Sequence, residues 1–166
     1  MARAPWIAVC GPGDASAEDV AQAERAGAAV ARAGAVLVCG GLGGVMEAAC
    51  RGAYEAGGTT VGLLPGEDRS AANAWVGLAL PTGLGEVRNA LIVRAADAVV
   101  AIGGAYGTLS EIALALRRGI PVLGVGTWEL ARDGRVDAGI VVAEGAEAAV
   151  GEALRRCGHM GAAGGG

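Results

Sequence analysis

The chain has 166 residues, with 13 basic against 17 acidic side chains, a formal net charge of −4, 31 glycines and only 3% aromatic residues. That length suits one domain, and the acidic balance excludes the basic face of a general nucleic-acid binder. Every basic residue is arginine, which excludes Walker-type P-loops, Schiff-base enzymes and pyridoxal-phosphate enzymes, because each needs a lysine amine.

Short aliphatic runs ending near glycine alternate with helical patterns along the whole chain. A first strand is predicted at Trp6–Cys10, followed by the turn Gly11-Pro12-Gly13-Asp14. A helix over Ser16–Ala33 begins at a capping serine and ends before Gly34, which suits the left-handed terminal position. The second strand, Ala35–Cys39, runs into Gly40-Gly41-Leu42-Gly43-Gly44 and then a helix over Gly44–Ala56. Strands at Thr60–Leu64 and Trp75–Leu80 precede a helix at Leu84–Ala96. The strand Ala98–Ile102 meets a third glycine turn, Gly103-Gly104-Ala105-Tyr106-Gly107. In the helix that follows, Thr108–Arg118, Leu109, Ile112, Ala113 and Leu116 form one apolar stripe. Strands at Pro121–Val125 and Gly139–Val142 and a helix over Glu144–Cys157 complete the pattern.

The strands are continuously apolar, as strands covered on both faces should be. Their alternation with helices predicts an α/β fold. It is a single-domain, doubly wound, mostly parallel sheet of about seven strands with helices on both faces, Rossmann-like. The domain is expected over residues 1–157, with a disordered Gly-rich tail over 158–166.

Cys10, Cys39, Cys50 and Cys157 show neither a CxxC nor a metal-ligand spacing and read as reduced core thiols. The single histidine, His159, lies in the tail, so neither a metal site nor a His-dependent triad is expected. No run reaches the ~18–20 apolar residues of a transmembrane helix, and Pro5–Cys10 is too short for a signal region. A cytoplasmic protein without membrane or nucleic-acid partners is expected.

In a sheet of this kind ligands bind beyond the carboxyl ends of the strands, where the three glycine turns collect. Glycine lets backbone N–H groups approach a ligand, and a following helix start adds partial positive charge, so each turn is a candidate phosphate cradle. Neither of the two longer turns spells G-x-G-x-x-G, so a dinucleotide site has weak support. Thr108-Leu109-Ser110-Glu111 also fits a capping box, in which both side chains satisfy backbone donors at the helix start. The competing reading is that Glu111, one turn from a cradle, acts on a ligand. Arg88 and Asn89 open another helix, and a phosphate site without lysine needs an arginine fork.

Taken together, the glycine turns, Gly103-Gly104-Ala105-Tyr106-Gly107-Thr108 leading to Glu111, and the upstream Arg88-Asn89 resemble the LOG (Lonely Guy) family. The match is closest to its short bacterial branch, which includes molybdenum cofactor carrier proteins, and runs from about Ala8 to Trp128. The resemblance implies a Rossmann-like homodimer that binds a nucleoside monophosphate or similar phosphorylated ligand. It aligns Arg88 and Glu111 with the family's catalytic pair, and Gly103, Gly104, Gly107 and Thr108 with its phosphate loop. Gly11, Gly40, Gly41, Gly43, Gly44 and Asn89 join them as expected ligand-binding residues. Ile102 replaces a motif proline and Asn89 a motif lysine, which points to binding without cleavage. No cofactor is required in that reading, and an AMP-like nucleotide or the molybdenum cofactor is the expected ligand of a carrier or sensor. The alternative is a 5′-monophosphate phosphoribohydrolase, releasing free base and ribose 5-phosphate. Trp128 is a candidate for stacking on a base, and Leu91 and Ile92 are candidate dimer contacts.

Overall fold

Aliphatic runs with no polar alternation can leave water on both faces only when helices cover a sheet from two sides. The computed structural model, which describes residues 3–163, shows that arrangement. In chain order it comprises β1 (Trp6–Cys10), α1 (Ala17–Arg32), β2 (Val36–Cys39), α2 (Val45–Glu55), β3 (Thr59–Leu64), β4 (Leu78–Pro81), α3 (Asn89–Ala95) and β5 (Ala98–Ile102). Then come α4 (Tyr106–Arg117), β6 (Val122–Val125), β7 (Ala131–Arg132), β8 (Arg135–Val136), β9 (Ile140–Val142) and α5 (Ala146–Ala163). Seven strands form one sheet in the order β4-β3-β2-β1-β5-β6-β9, and every neighbouring pair is parallel. Among the described residues no helix is long and apolar enough to cross a membrane.

Alternation along each strand sends side chains to two cores. Ile7, Val9, Leu37, Val100 and Ile102 pack with α1, α2 and α5, while Ala8, Cys10, Val38, Val99 and Ala101 pack with α3 and α4. Small residues let the helices approach closely. A Cβ on Gly27 would lie 1.9 Å from the Ala49 carbonyl oxygen, and one on Gly52 would lie 2.0 Å from that of Glu24, so α1 and α2 touch backbone to backbone. With no phenylalanine in the chain, this close approach supplies the packing density that large rings give elsewhere.

Three predicted elements shift and one hairpin is added. The fourth strand begins at Leu78 rather than Trp75, because the Trp75 N–H donates to Asn73 Oδ1 (3.0 Å) and its carbonyl accepts from Thr60 Oγ1 (2.8 Å), making 73–77 a turn. The helix expected from Leu84 starts as a 3₁₀ turn, Gly85–Arg88, before α3, since Gly83 and Gly85 hold φ of +65° and +56°, outside any right-handed helix. The β7–β8 hairpin, absent from the sequence reading, turns on Asp133-Gly134, whose φ values of +52° and +72° are those of a type I′ turn. The last helix continues past Cys157 to Ala163, and the remainder of the expected tail, 164–166, lies outside the described residues. Ile92, expected at a dimer surface, is fully buried against the sheet; Leu91 beside it is exposed.

Candidate functional site

Strand order reverses between β1 and β5. The connections leaving these two strands therefore turn to opposite sides and leave a crevice at the carboxyl edge. A cleft of about 300 Å³ opens there. It brings together Gly11, Arg88, Asn89, Gly107, Thr108 and Glu111, which were all predicted, with Cys10 as an addition. Its spacing marks Cys10 only as a core thiol, and its place immediately before the first glycine turn is the signal that it reaches the cleft.

The remaining predicted glycines support the cleft from outside. Gly44, at φ +65°, sits where a Cβ would lie 2.3 Å from the Pro12 carbonyl oxygen, and the Val45 N–H donates to that same oxygen (3.1 Å). The turns after β1 and β2 are thereby joined, with Gly43 half-buried beside them. Gly40 and Gly41 are buried; a Cβ on Gly40 would meet the Arg88 guanidinium and one on Gly41 would meet Leu64. Gly103 faces α1, 2.9 Å from the Asp19 carboxylate by the same measure. That carboxylate belongs to a capping box, in which Asp19 N–H donates to Ser16 Oγ (3.1 Å) and Ser16 N–H to Asp19 Oδ2 (3.4 Å). Gly104 lies against Trp128.

The second expected capping box, Thr108 with Glu111, does not form. Helix α4 starts two residues earlier, at Tyr106, and no side chain caps it. Thr108 therefore sits inside the first turn at 2% exposure, and its Oγ1 has no hydrogen-bond partner among the described residues. The N–H groups of the first turn have no partner within the helix and carry the positive end of its dipole. Gly107 beside them has open space where a Cβ would be. Trp128 does not line the cleft. Its Nε1 donates to the Ala105 carbonyl (3.2 Å) and its ring lies 5.7 Å from that of Tyr106, so it fixes the residue preceding α4.

Arg88 and Glu111 are 8% and 7% exposed. The guanidinium donates from Nη1 to Asn89 Oδ1 and from Nη2 to the Gly40 carbonyl (3.4 Å), while its buried Nε finds no partner among the described residues. Asn89 in turn donates from Nδ2 to Ser110 Oγ (3.2 Å), and Ser110 Oγ donates to the Gly107 carbonyl (2.7 Å). Both ends of the Asn89 amide are thus engaged in tying Arg88 to α4. Burial pulls Arg88 below its ordinary value, opposed by the charge of Glu111. Burial likewise pushes the Glu111 carboxyl up to about 7, against the pull of Arg88. The Cys10 thiol is held well above its ordinary range by burial and by the neighbouring carboxyl. A larger groove of about 630 Å³ runs along α1, α2 and α5, where Glu24 pairs with Arg51 (2.6 Å) and Arg25 with Glu147 (3.8 Å).

Comparison with known proteins bears on this geometry. The model of the SLOG cluster4 family matches residues 4–150. The structure of the molybdenum cofactor binding protein from Rippkaea orientalis is 34% identical and superposes with a TM-score of 0.84, over 93% of this chain and 98% of that one. The molybdenum cofactor carrier protein of Chlamydomonas reinhardtii is 33% identical, with a TM-score of 0.81 over 94% and 99% of the two chains. An uncharacterized protein of Archaeoglobus fulgidus is 43% identical over 113 residues, 68% of this chain and 74% of its own.

Proposed function

The chain belongs to the SLOG cluster4 family, and from that premise we propose that it binds a phosphorylated small molecule, as a carrier or sensor, in the cleft at the carboxyl edge of β1 and β5. The observation that carries this reading is the pair of buried polar atoms left without partners, Arg88 Nε and Thr108 Oγ1, on residues that line the cleft beside an uncapped helix start. An unsatisfied buried group costs about 1–3 kcal/mol. A phosphate supplies the acceptor oxygens that the arginine fork, the hydroxyl and the first-turn N–H groups lack. The structural relatives named for the molybdenum cofactor favour a molybdopterin-type ligand; a nucleoside monophosphate offers the same phosphate chemistry. Arg88 holds the anion, Thr108 and the start of α4 receive it, and Asn89 positions Arg88.

One observation favours the LOG-type hydrolase alternative. Glu111 does not cap its helix and is placed with Arg88 on the cleft, where a carboxylate can stabilise the cationic transition state of glycosidic cleavage. The two readings separate by experiment. Mass spectrometry of small molecules released from the purified protein is expected to find a retained molybdopterin or nucleotide, and incubation with AMP is expected to release no adenine. Release of adenine and ribose 5-phosphate would establish the hydrolase. Failure to retain or bind either ligand would remove the cleft as a phosphate site.

We also assign a second copy of the chain to the side of the molecule that carries β4, the 3₁₀ turn and α3, where Leu78, Leu80, Leu84, Val87 and Leu91 are exposed. A two-fold axis lets one such patch serve both subunits. Light scattering is expected to give twice the 16.1 kDa chain mass, and Val87→Glu with Leu91→Glu is expected to return it to one. A monomeric wild type at micromolar concentration would refute this assignment.

A further inference from the structure

We propose that Cys39 and Cys50 are a redox-modifiable pair, and that their oxidation to a disulfide reshapes the Gly40–Gly44 turn beside the cleft. Cys39 ends β2 and Cys50 lies in the middle of α2. Both are fully buried, and their sulfurs are 3.4 Å apart. The pair encloses the whole glycine turn and the first part of α2, so the new bond would close a short ring around that turn.

The consequence follows from what can move. A disulfide brings its sulfurs to about 2.05 Å, so the two must approach by more than an ångström. Strand β2 is held between β1 and β3, and α2 lies directly on the α1 backbone. The turn joining them is the part free to adjust. Its bonds report on both sides: the Gly41 N–H donates to Cys39 Sγ (3.3 Å), and the Gly40 carbonyl accepts from Arg88 Nη2. Movement of the turn is thus passed to the guanidinium of the cleft.

An entry route exists although both sulfurs are buried. Asn73 closes the turn from the β3–β4 connection, donating from its backbone N–H to the Gly41 carbonyl and from Nδ2 to the Leu42 carbonyl, each at 2.9 Å. Residues 66–71 of that connection are exposed around a short 3₁₀ turn, Arg69–Ala71, while Trp75 and Val76 beyond Asn73 pack against the core. An exposed stretch of that kind opens far more readily than the core. Within the pair, the hydrogen bond with Cys39 holds the Cys50 thiol below its ordinary value, aided by Asn73 and opposed by burial. The same bond together with burial pushes Cys39 up, so the two thiols titrate as one unit, one giving up its proton while the other keeps it.

With a peroxide as oxidant the step balances. One thiolate of the pair attacks one peroxide oxygen, the O–O bond breaks, and hydroxide leaves a sulfenic acid behind. The other sulfur then attacks the oxidised one, the S–S bond forms, the S–O bond breaks, and the oxygen leaves as water with the second thiol's proton. Two thiols give up two electrons and the peroxide is reduced to water. Cys10 packs on the opposite face of the sheet and Cys157 lies on α5, so neither competes.

The test reads the cysteines and the turn without any ligand. The full-length protein is treated with hydrogen peroxide, denatured, alkylated and digested with trypsin; Ala33 to Arg51 is one peptide that contains both cysteines. That peptide is expected to be lighter by two hydrogen atoms and to take up no alkylating group, while the Cys10 and Cys157 peptides remain alkylated. Amide hydrogen exchange across 40–46 is expected to change several-fold on oxidation and to return with dithiothreitol. Cys50→Ser, or Cys50→Ala if the serine does not fold, is expected to abolish both effects. Full alkylation of Cys39 and Cys50 after peroxide, or a disulfide that leaves exchange across 40–46 unchanged, would overturn the proposal. Neither result depends on whether the cleft binds a phosphate.

Discussion

Glu111→Gln is expected to stabilise the protein on the alkaline side of neutrality and to leave it unchanged in acid. In the folded chain this carboxyl titrates at about 7, against an ordinary 4.5, because burial opposes its charge. As pH rises, the unfolded chain therefore gives up this proton first. The contribution of Glu111 to stability is complete below about 4.5 and is lost as pH climbs through about 7. At about 1.4 kcal/mol per pH unit the gap amounts to roughly 3 kcal/mol. Glutamine keeps the shape of the neutral acid at every pH. Urea unfolding of the two proteins should thus coincide near pH 4 and diverge toward pH 8, with the variant the more stable by that amount. Parallel curves would mean that Glu111 is hydrated and ionised in the folded protein. Affinity for AMP follows the same proton: in the wild type it should fall as pH passes 7, because the new carboxylate competes for Arg88, and in the variant it should not.

Arg88→Met is expected to weaken AMP binding about 10- to 150-fold, the equivalent of roughly 1.5–3 kcal/mol for hydrogen bonds to a charged group. Methionine keeps the unbranched apolar stem and removes the guanidinium that lies beside Gly40. Calorimetric titration would measure the loss. An unchanged affinity would place the anion elsewhere. Arg88→Lys should recover the charge without the paired geometry and fall between the two. The substitution also withdraws the positive charge that holds the Glu111 carboxyl down, so the Glu111 titration followed by NMR should move upward in Arg88→Met. That shift distinguishes loss of a neighbouring charge from general damage to the fold.

The sheet was legible because its evidence is local. Runs such as Trp6–Cys10 and Ala98–Ile102 are apolar along their whole length, and only a doubly covered strand tolerates that. The site was legible as a set of turns, but not as a division of labour among them. Nothing in the spacing of Gly40 and Gly41 says that the first backs the Arg88 guanidinium and the second Leu64 while Gly107 faces open space, because that depends on chain arriving from β3, β4 and β5. The Thr108–Glu111 pattern shows the same limit from the other side. The spacing of a capping box is satisfied, yet the backbone enters the helix at Tyr106 and both side chains are released toward the cleft. The Asp133-Gly134 hairpin is different in kind, since Asp-Gly is a strong turn signal on its own and was present in the sequence to be read.

The backbone contact of α1 with α2 at Gly27 and Gly52 has a mechanical consequence. No side chain lies between the helices at that contact to compress or change rotamer, so a displacement of one presses directly on the backbone of the other. The turns that feed them are also joined, through Val45 and the Pro12 carbonyl. With Cys39 and Cys50 reduced, the wall of the cleft that these turns form moves as one piece, and a separate hinge is available on the other wall, where Gly83 and Gly85, both at positive φ, lead through a 3₁₀ turn to Arg88.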